Sequence, residues 1–138
     1  MNRGDRVRRI IVAVKPAITI TDDSGVSVVE LQGEHDLATA SEVRDALESA
    51  LTERRAVVVE LTLTDFIDSS ILGVLLAGLR RAREASLGFV FVVQGDDGRA
   101  VNRTLAGSGL LAFFPIRGSL AEATEAARAG TNQPGPAS

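Results

Sequence analysis

Two short, nearly unbroken apolar runs, Ala56–Leu61 and Phe89–Val93, flank a segment of helical periodicity, and this arrangement restricts the fold more than any other feature. A strand covered on both faces has no polar side to alternate with, so continuous Val and Phe suit the interior of a parallel sheet. Between the runs, Ser69–Ala85 repeats Leu72, Leu75, Leu76 and Leu79 at i, i+3, i+4 and i+7. Arg80, Arg81 and Arg83 lie near its end, where cations suit the negative pole of a helix. The unit reads as β-α-β, with a right-handed crossover.

Upstream, Ile18–Thr21 and Val26–Leu31 are rich in β-branched residues and are separated by Asp22-Asp23-Ser24-Gly25, which predicts a hairpin. Helical spacing follows through Val43, Ala46, Leu47 and Ala50, opened by Thr39 or Ser41 and ending near Leu51. Downstream, Gln94–Gly98 reads as a turn, Arg99–Ala106 as a helix stopped by Gly107, and Phe113–Ile116 as an edge strand, because Pro115 lacks a donor. Ser119 caps a last helix, Leu120 to about Arg128, with Glu122 completing a capping box. The predicted fold class is a single α/β domain: an N-terminal hairpin, then alternating strands and helices in a mixed, largely parallel sheet flanked by about four helices. Residues 1–17 read as a basic extension, 18–129 as the domain, and 130–138, with Pro134, Gly135 and Pro136, as a disordered tail.

With 138 residues, 45% of them hydrophobic, the chain can bury roughly 70% of its extended surface and build a core without staples. The absence of Cys and the single His remove a disulfide framework, a thiolate nucleophile and the usual metal-ligand sets, so no metal or cofactor is expected. A net charge of -3 and five Phe as the only aromatic residues argue against nucleic acid, which needs a basic face and stacking platforms. Near the start of the chain, Arg3, Arg6, Arg8 and Arg9 make it locally basic. Lys15 and Pro16 end the apolar run Ile10–Val14 too early for a signal peptide, and no stretch approaches the ~20 apolar residues that a bilayer requires. A cytoplasmic protein with no membrane partner is the expectation.

The segment with unusual local chemistry is Asp65–Gly73 (DFIDSSILG), where a strand's exit delivers Asp68, Ser69 and Ser70 to a helix N-terminus. Such termini offer free N–H donors and partial positive charge to a phosphate or carboxylate, although plain capping by Asp68 or Ser69 accounts for the same residues. At roughly 100° per residue, Ser69 lies about 20° from Leu76 on the leucine stripe, which predicts an inward side chain. By the same count Ser70 points about 180° from Leu79, alongside Gly73, Val74 and Ala77, which predicts an outward hydroxyl amid small apolar residues. A partner protein, or another part of the same chain, would cover such a face. An enzyme would recruit Ser69 or Ser70 as nucleophile, His35 as base and Asp36 or Asp68 as orienter. Neither serine sits in a nucleophile elbow, and His35 between Glu34 and Asp36 reads as a solvated or partly buried loop residue, so catalysis is not expected. Gln94–Gly98 carries two acids and no Lys, which suits a solvated turn better than a phosphate cradle.

Taken together, Gly33–Ala40 (GEHDLATA), Phe66–Ser70 with Leu72-Gly73, and Ser108–Leu111 before Phe113-Phe114-Pro115 resemble, in order and spacing, STAS domains of the anti-sigma factor antagonist type. The resemblance spans about Ile18 to Arg128. It implies a non-enzymatic module, a monomer or weak dimer, that binds an anti-sigma factor with serine-kinase activity and so frees a sigma factor. The kinase would phosphorylate the second serine, Ser70, and a phosphatase would reset it. Asp68 would match the carboxylate at the helix start and Asp36 the loop carboxylate near the serine. Asp36, Asp68, Ser69, Ser70, Gly73, Val74 and Ala77 would then form the partner surface. The sequence departs from the family pattern at Ile71, where glycine is usual, which sets a bulky side chain beside the acceptor, and at Glu60, where Asp or Asn is usual. The alternative implied is a diverged module that binds a protein or small ligand without phosphorylation.

Overall fold

The computed structural model describes residues 16–93 and 113–135, and its first element is the expected hairpin. Strand β1 (Ala17–Asp23) runs antiparallel to β2 (Val26–His35) across a turn in which Ser24 (φ 55) and Gly25 (φ 89) are both left-handed. That pair of conformations gives a two-residue turn the twist of its strands. The Asp22 carboxylate accepts from the Gly25 N–H at 3.1 Å.

Strand β2 runs past the predicted Leu31 because it has two successive parallel partners. Its first half pairs with β3 (Ala56–Glu60); its end, from Gly33, pairs with β4 (Thr64–Ile67) through a register shift between Gly33 and Glu34, His35 opposite Ile67. Gly33 (φ 84) supplies the left-handed residue that such an irregularity favours. The sequence reading has no β4: four residues of mixed polarity carry no period. It is held by pairing and by the buried Thr64 hydroxyl, which donates to the Leu31 carbonyl at 2.6 Å.

Helix α1 (Leu37–Thr52) connects β2 to β3, and α2 (Ser69–Ala85) leads from β4 into β5 (Phe89–Val92). Strand β6 (Ile116–Arg117) and helix α3 (Leu120–Arg128) follow. The sheet order is β1-β2-β3-β5-β6, with β4 on β2 off this path, and only β1 is antiparallel. The predicted mixed, largely parallel sheet is present, with three helices among the described residues. The turn at Gln94–Gly98, the helix at Arg99–Ala106 and the Ser108–Leu111 segment lie outside those residues. The edge strand sits at Ile116–Arg117, later than predicted. Pro115 contributes only its carbonyl, which accepts from the Phe91 N–H at 2.8 Å, and Phe114 stacks on Phe91 with centroids 4.6 Å apart.

Each apolar run serves two cores. Val57, Val59, Phe89 and Phe91 pack with the buried faces of α1 and α2, while Val58, Val90 and Val92 pack under Ala123 and Ala127 of α3. Gly88 permits the approach of α3, since a Cβ there would lie 2.0 Å from the Ala127 carbonyl oxygen. Ser119 caps α3 as expected, accepting from the Glu122 N–H at 3.2 Å. The reading of 130–138 as a disordered tail is corrected at its start. Thr131 accepts from the Phe89 N–H at 2.8 Å, the Asn132 amide donates to Leu87 O at 2.9 Å, and Arg83 Nε donates to Asn132 O at 2.7 Å. Strand β6 pairs only with Phe91 and Val92, so the Phe89 donor needs another acceptor, and the chain leaving α3 supplies it.

Candidate functional site

The parallel pairing of β2 with β4 ends at His35 opposite Ile67, so the next residues, Asp36 and Asp68, leave neighbouring strand ends together. Both keep extended backbone (φ -146 and -106), and both cap a helix. Asp36 Oδ1 accepts from the Ala38 N–H at 2.9 Å, and Asp68 Oδ1 accepts from the Ile71 N–H at 3.1 Å. Two helix N-termini thus open side by side at the carboxyl edge of the sheet. Neither helix has an acidic residue in its first turn, so the cap carboxylates are what face the positive poles there. Capping by Asp68 is therefore real. Helix α1 starts at Leu37, ahead of the predicted Thr39 or Ser41, because Asp36 takes the capping position.

The serines require a correction. Ser69, predicted to face inward, is exposed, and Ser70 is half-buried. The buried stripe of α2 is Ile71, Leu72, Leu75, Gly78, Leu79 and Ala82, with Leu76 only half-buried, so its centre is rotated away from the leucines alone. Relative to that centre Ser69 lies at about 120° and Ser70 at about 140°. Both hydroxyls therefore sit outside the stripe. Gly73 and Ala77 are exposed and Val74 is half-buried, a shallow face on which a Gly73 Cβ would meet nothing within 4 Å beyond its chain neighbours and its own helix backbone.

The two departures from the family pattern are accommodated. Ile71 is 0% exposed and belongs to the core, so its bulk is directed away from the open side of Ser70. Glu60 is half-buried and accepts from the Thr62 hydroxyl at 3.1 Å.

His35 is not a loop residue but the fully buried end of β2. Its Nε2 faces the carbonyls of Gln32 at 3.0 Å and Ala17 at 3.2 Å, which require it to carry a proton, and its Nδ1 is hydrogen-bonded with the Thr39 hydroxyl at 2.9 Å. A ring engaged in this way does not serve as base to either serine. Its role is positional: it ties the start of β1, the end of β2 and the first turn of α1 beside Asp36. The signal was present in the sequence, since Leu31, Gly33 and His35 continue the period-two buried face of β2.

Two apolar side chains at this edge escaped the sequence reading. Leu37, next to Asp36, is 74% exposed, and Phe66, one residue before Ile67, is 44% exposed. Leu37 opens α1, and Phe66 lies on β4 two residues before the cap Asp68. A leucine directly after a capping Asp, ahead of the first core position of its helix, is the cue that could have marked this edge. Among the described residues no cluster of side chains could hold a metal ion, and no helix is long and apolar enough to cross a membrane.

Residues 18–113 match the model of the family described as MlaB, STAS domain. No curated protein matches the sequence. Among solved structures, an anti-sigma factor antagonist from Mycobacterium paratuberculosis is 29% identical, with a TM-score of 0.68 over 83% of this chain and 95% of that one. A putative anti-sigma factor antagonist from Thermotoga maritima is 20% identical, with a TM-score of 0.69 over 80% of this chain and 94% of that one. The Bacillus cell fate determinant SpoIIAA in its phosphorylated form is 19% identical, with a TM-score of 0.59 over 79% of this chain and 97% of that one.

Proposed function

Because the chain belongs to the STAS domain family, we propose that it is an anti-sigma factor antagonist: it binds an anti-sigma factor with serine-kinase activity, frees a sigma factor, and is switched off by phosphorylation at Ser70. The observation that carries this reading is the placement of Ser70, partly accessible and two residues after the cap Asp68, on a small-residue face beside a second helix start. The relatives lend the general role, since the Mycobacterium and Thermotoga proteins are described as antagonists of this kind and SpoIIAA is known in a phosphorylated form.

The physics of the switch follows from charge. A phosphate adds about -1.5 to -2 charges. At Ser70 it would stand near the positive pole of α2, which favours an anion, so the fold would tolerate it. Against a partner packed on Gly73, Val74 and Ala77 the same group would lie unpaired in an apolar contact, beside the carboxylates of Asp68 and Asp36. Burying such a charge costs at least several kcal/mol, and each ~1.4 kcal/mol is tenfold in affinity. Phosphorylation releases the partner without unfolding the domain, and a phosphatase restores binding.

The test pairs Ser70→Asp with Ser70→Ala in a pull-down against an anti-sigma factor kinase. Ser70→Asp loses capture, Ser70→Ala keeps it after incubation with Mg-ATP, and mass spectrometry finds the phosphate on Ser70 of the wild-type chain. Equal capture by both variants overturns the switch.

A further inference from the structure

On the flank of the molecule away from Ser70, β1 is an edge strand whose outer side no described strand covers. Helix α1 packs over β2 and β3 and covers β1 less. Two hollows result, of about 320 and 670 Å³, which share Ile20, Ala46 and Ser49 and run along β1 from Pro16 to Asp22. The floor is apolar: Ile18 leans on the core, and Ile20 remains 58% exposed, a large apolar side chain on an unpaired edge. The rim is acidic, with Glu42 and Asp45 along one hollow and Glu53 along the other. Arg55 is the one cation in the lining, and it is already paired with Asp22.

A groove with a greasy floor and an acidic rim fits a chain segment that alternates apolar and basic character. The sequence contains one, joined to the groove itself. Residues 1–15 hold Arg3, Arg6, Arg8, Arg9 and Lys15 against a single acid, Asp5, together with the run Ile10–Val14, and they lead directly into Pro16, which lines the groove. Reach is ample: fifteen residues extend up to about 50 Å, whereas the stretch of β1 that borders the hollows, Ala17 to Asp22, spans roughly 20 Å. Tethering at Pro16 raises the local concentration of the segment to about the millimolar range, so modest contacts suffice. We infer that the groove between β1 and α1 is the docking site of residues 1–15 of the same chain, with the arginines on the Glu42, Asp45 and Glu53 rim and the apolar run over Ile18 and Ile20.

The chain contains no cysteine, so engineered thiols report without background. Each of Ile10 to Val14 is replaced in turn by Cys in a full-length chain that also carries Ser49→Cys, and intramolecular disulfide formation is timed against the same series paired with Glu125→Cys on α3; Ser49 and Glu125 are both exposed. At least one Ser49 pair is expected to close about tenfold faster than its Glu125 counterpart, with the advantage reduced by 1 M salt and by Glu42→Lys with Asp45→Lys. Equal rates in the two series overturn the inference. Disulfide-linked dimers in place of closed monomers also overturn it, and assign the groove to a second copy of the chain.

Discussion

Asp36 and Asp68 each give a carboxylate to the first free N–H groups of a helix, so their removal is felt locally. Asp68→Ala and Asp36→Ala should each cost about 1 kcal/mol in urea unfolding, the usual loss for an N-cap. Ser70→Ala caps nothing and should stay within about 0.5 kcal/mol of wild type, which separates stability from partner capture. His35→Phe keeps a ring but deletes both nitrogens, leaving two carbonyls and the Thr39 hydroxyl without their partner. A loss of about 1–3 kcal/mol is expected, and an unchanged midpoint would show that the clasp beside Asp36 contributes nothing. At this scale Asp68 was legible from sequence because Asp before a helical period is a cap, whereas the direction of Ser69 was not. Four leucines fixed the wrong axis, and only the burial of Ile71, Gly78 and Ala82 corrects it.

The elements divide by whether their signal is local. Helix α2 appears over the predicted residues, and β3, β5 and α3 lie within one residue of prediction, because each carries its own periodicity or cap. Strand β4 stays hidden, since four residues such as Thr64–Ile67 become a strand only through pairing with a neighbour remote in sequence. Two glycines test the packing that results. Gly88→Ala would set a Cβ 2.0 Å from the Ala127 carbonyl, which must push α3 off the sheet, and a loss of at least ~2 kcal/mol in thermal or urea unfolding is expected. Gly73→Ala meets open space within an exposed helix and should raise stability by about 0.5–1 kcal/mol while weakening capture of the anti-sigma factor, because the added methyl stands on the proposed contact face.

Across the whole molecule, the side of the sheet that carries α3 is closed by its own chain: Arg83 holds the carbonyls of Asn132 and Phe113, and Thr131 completes the edge of β5. The opposite border, β1, is where the sheet stays open. Ser70→Asp should melt within a few degrees of wild type, because the half-buried hydroxyl takes no part in either core. A coincident collapse in circular dichroism would show that the substitution acts by unfolding instead. The twin caps carry one more implication. Residues 36 and 68 are remote along the backbone yet begin their helices on adjoining strands, so any protein gripping both starts stitches the intervening loop of chain shut. Its grasp should slow amide hydrogen exchange at the opening turns of α1 and α2 in unison, a mechanical signature that a ligand touching one helix alone would lack.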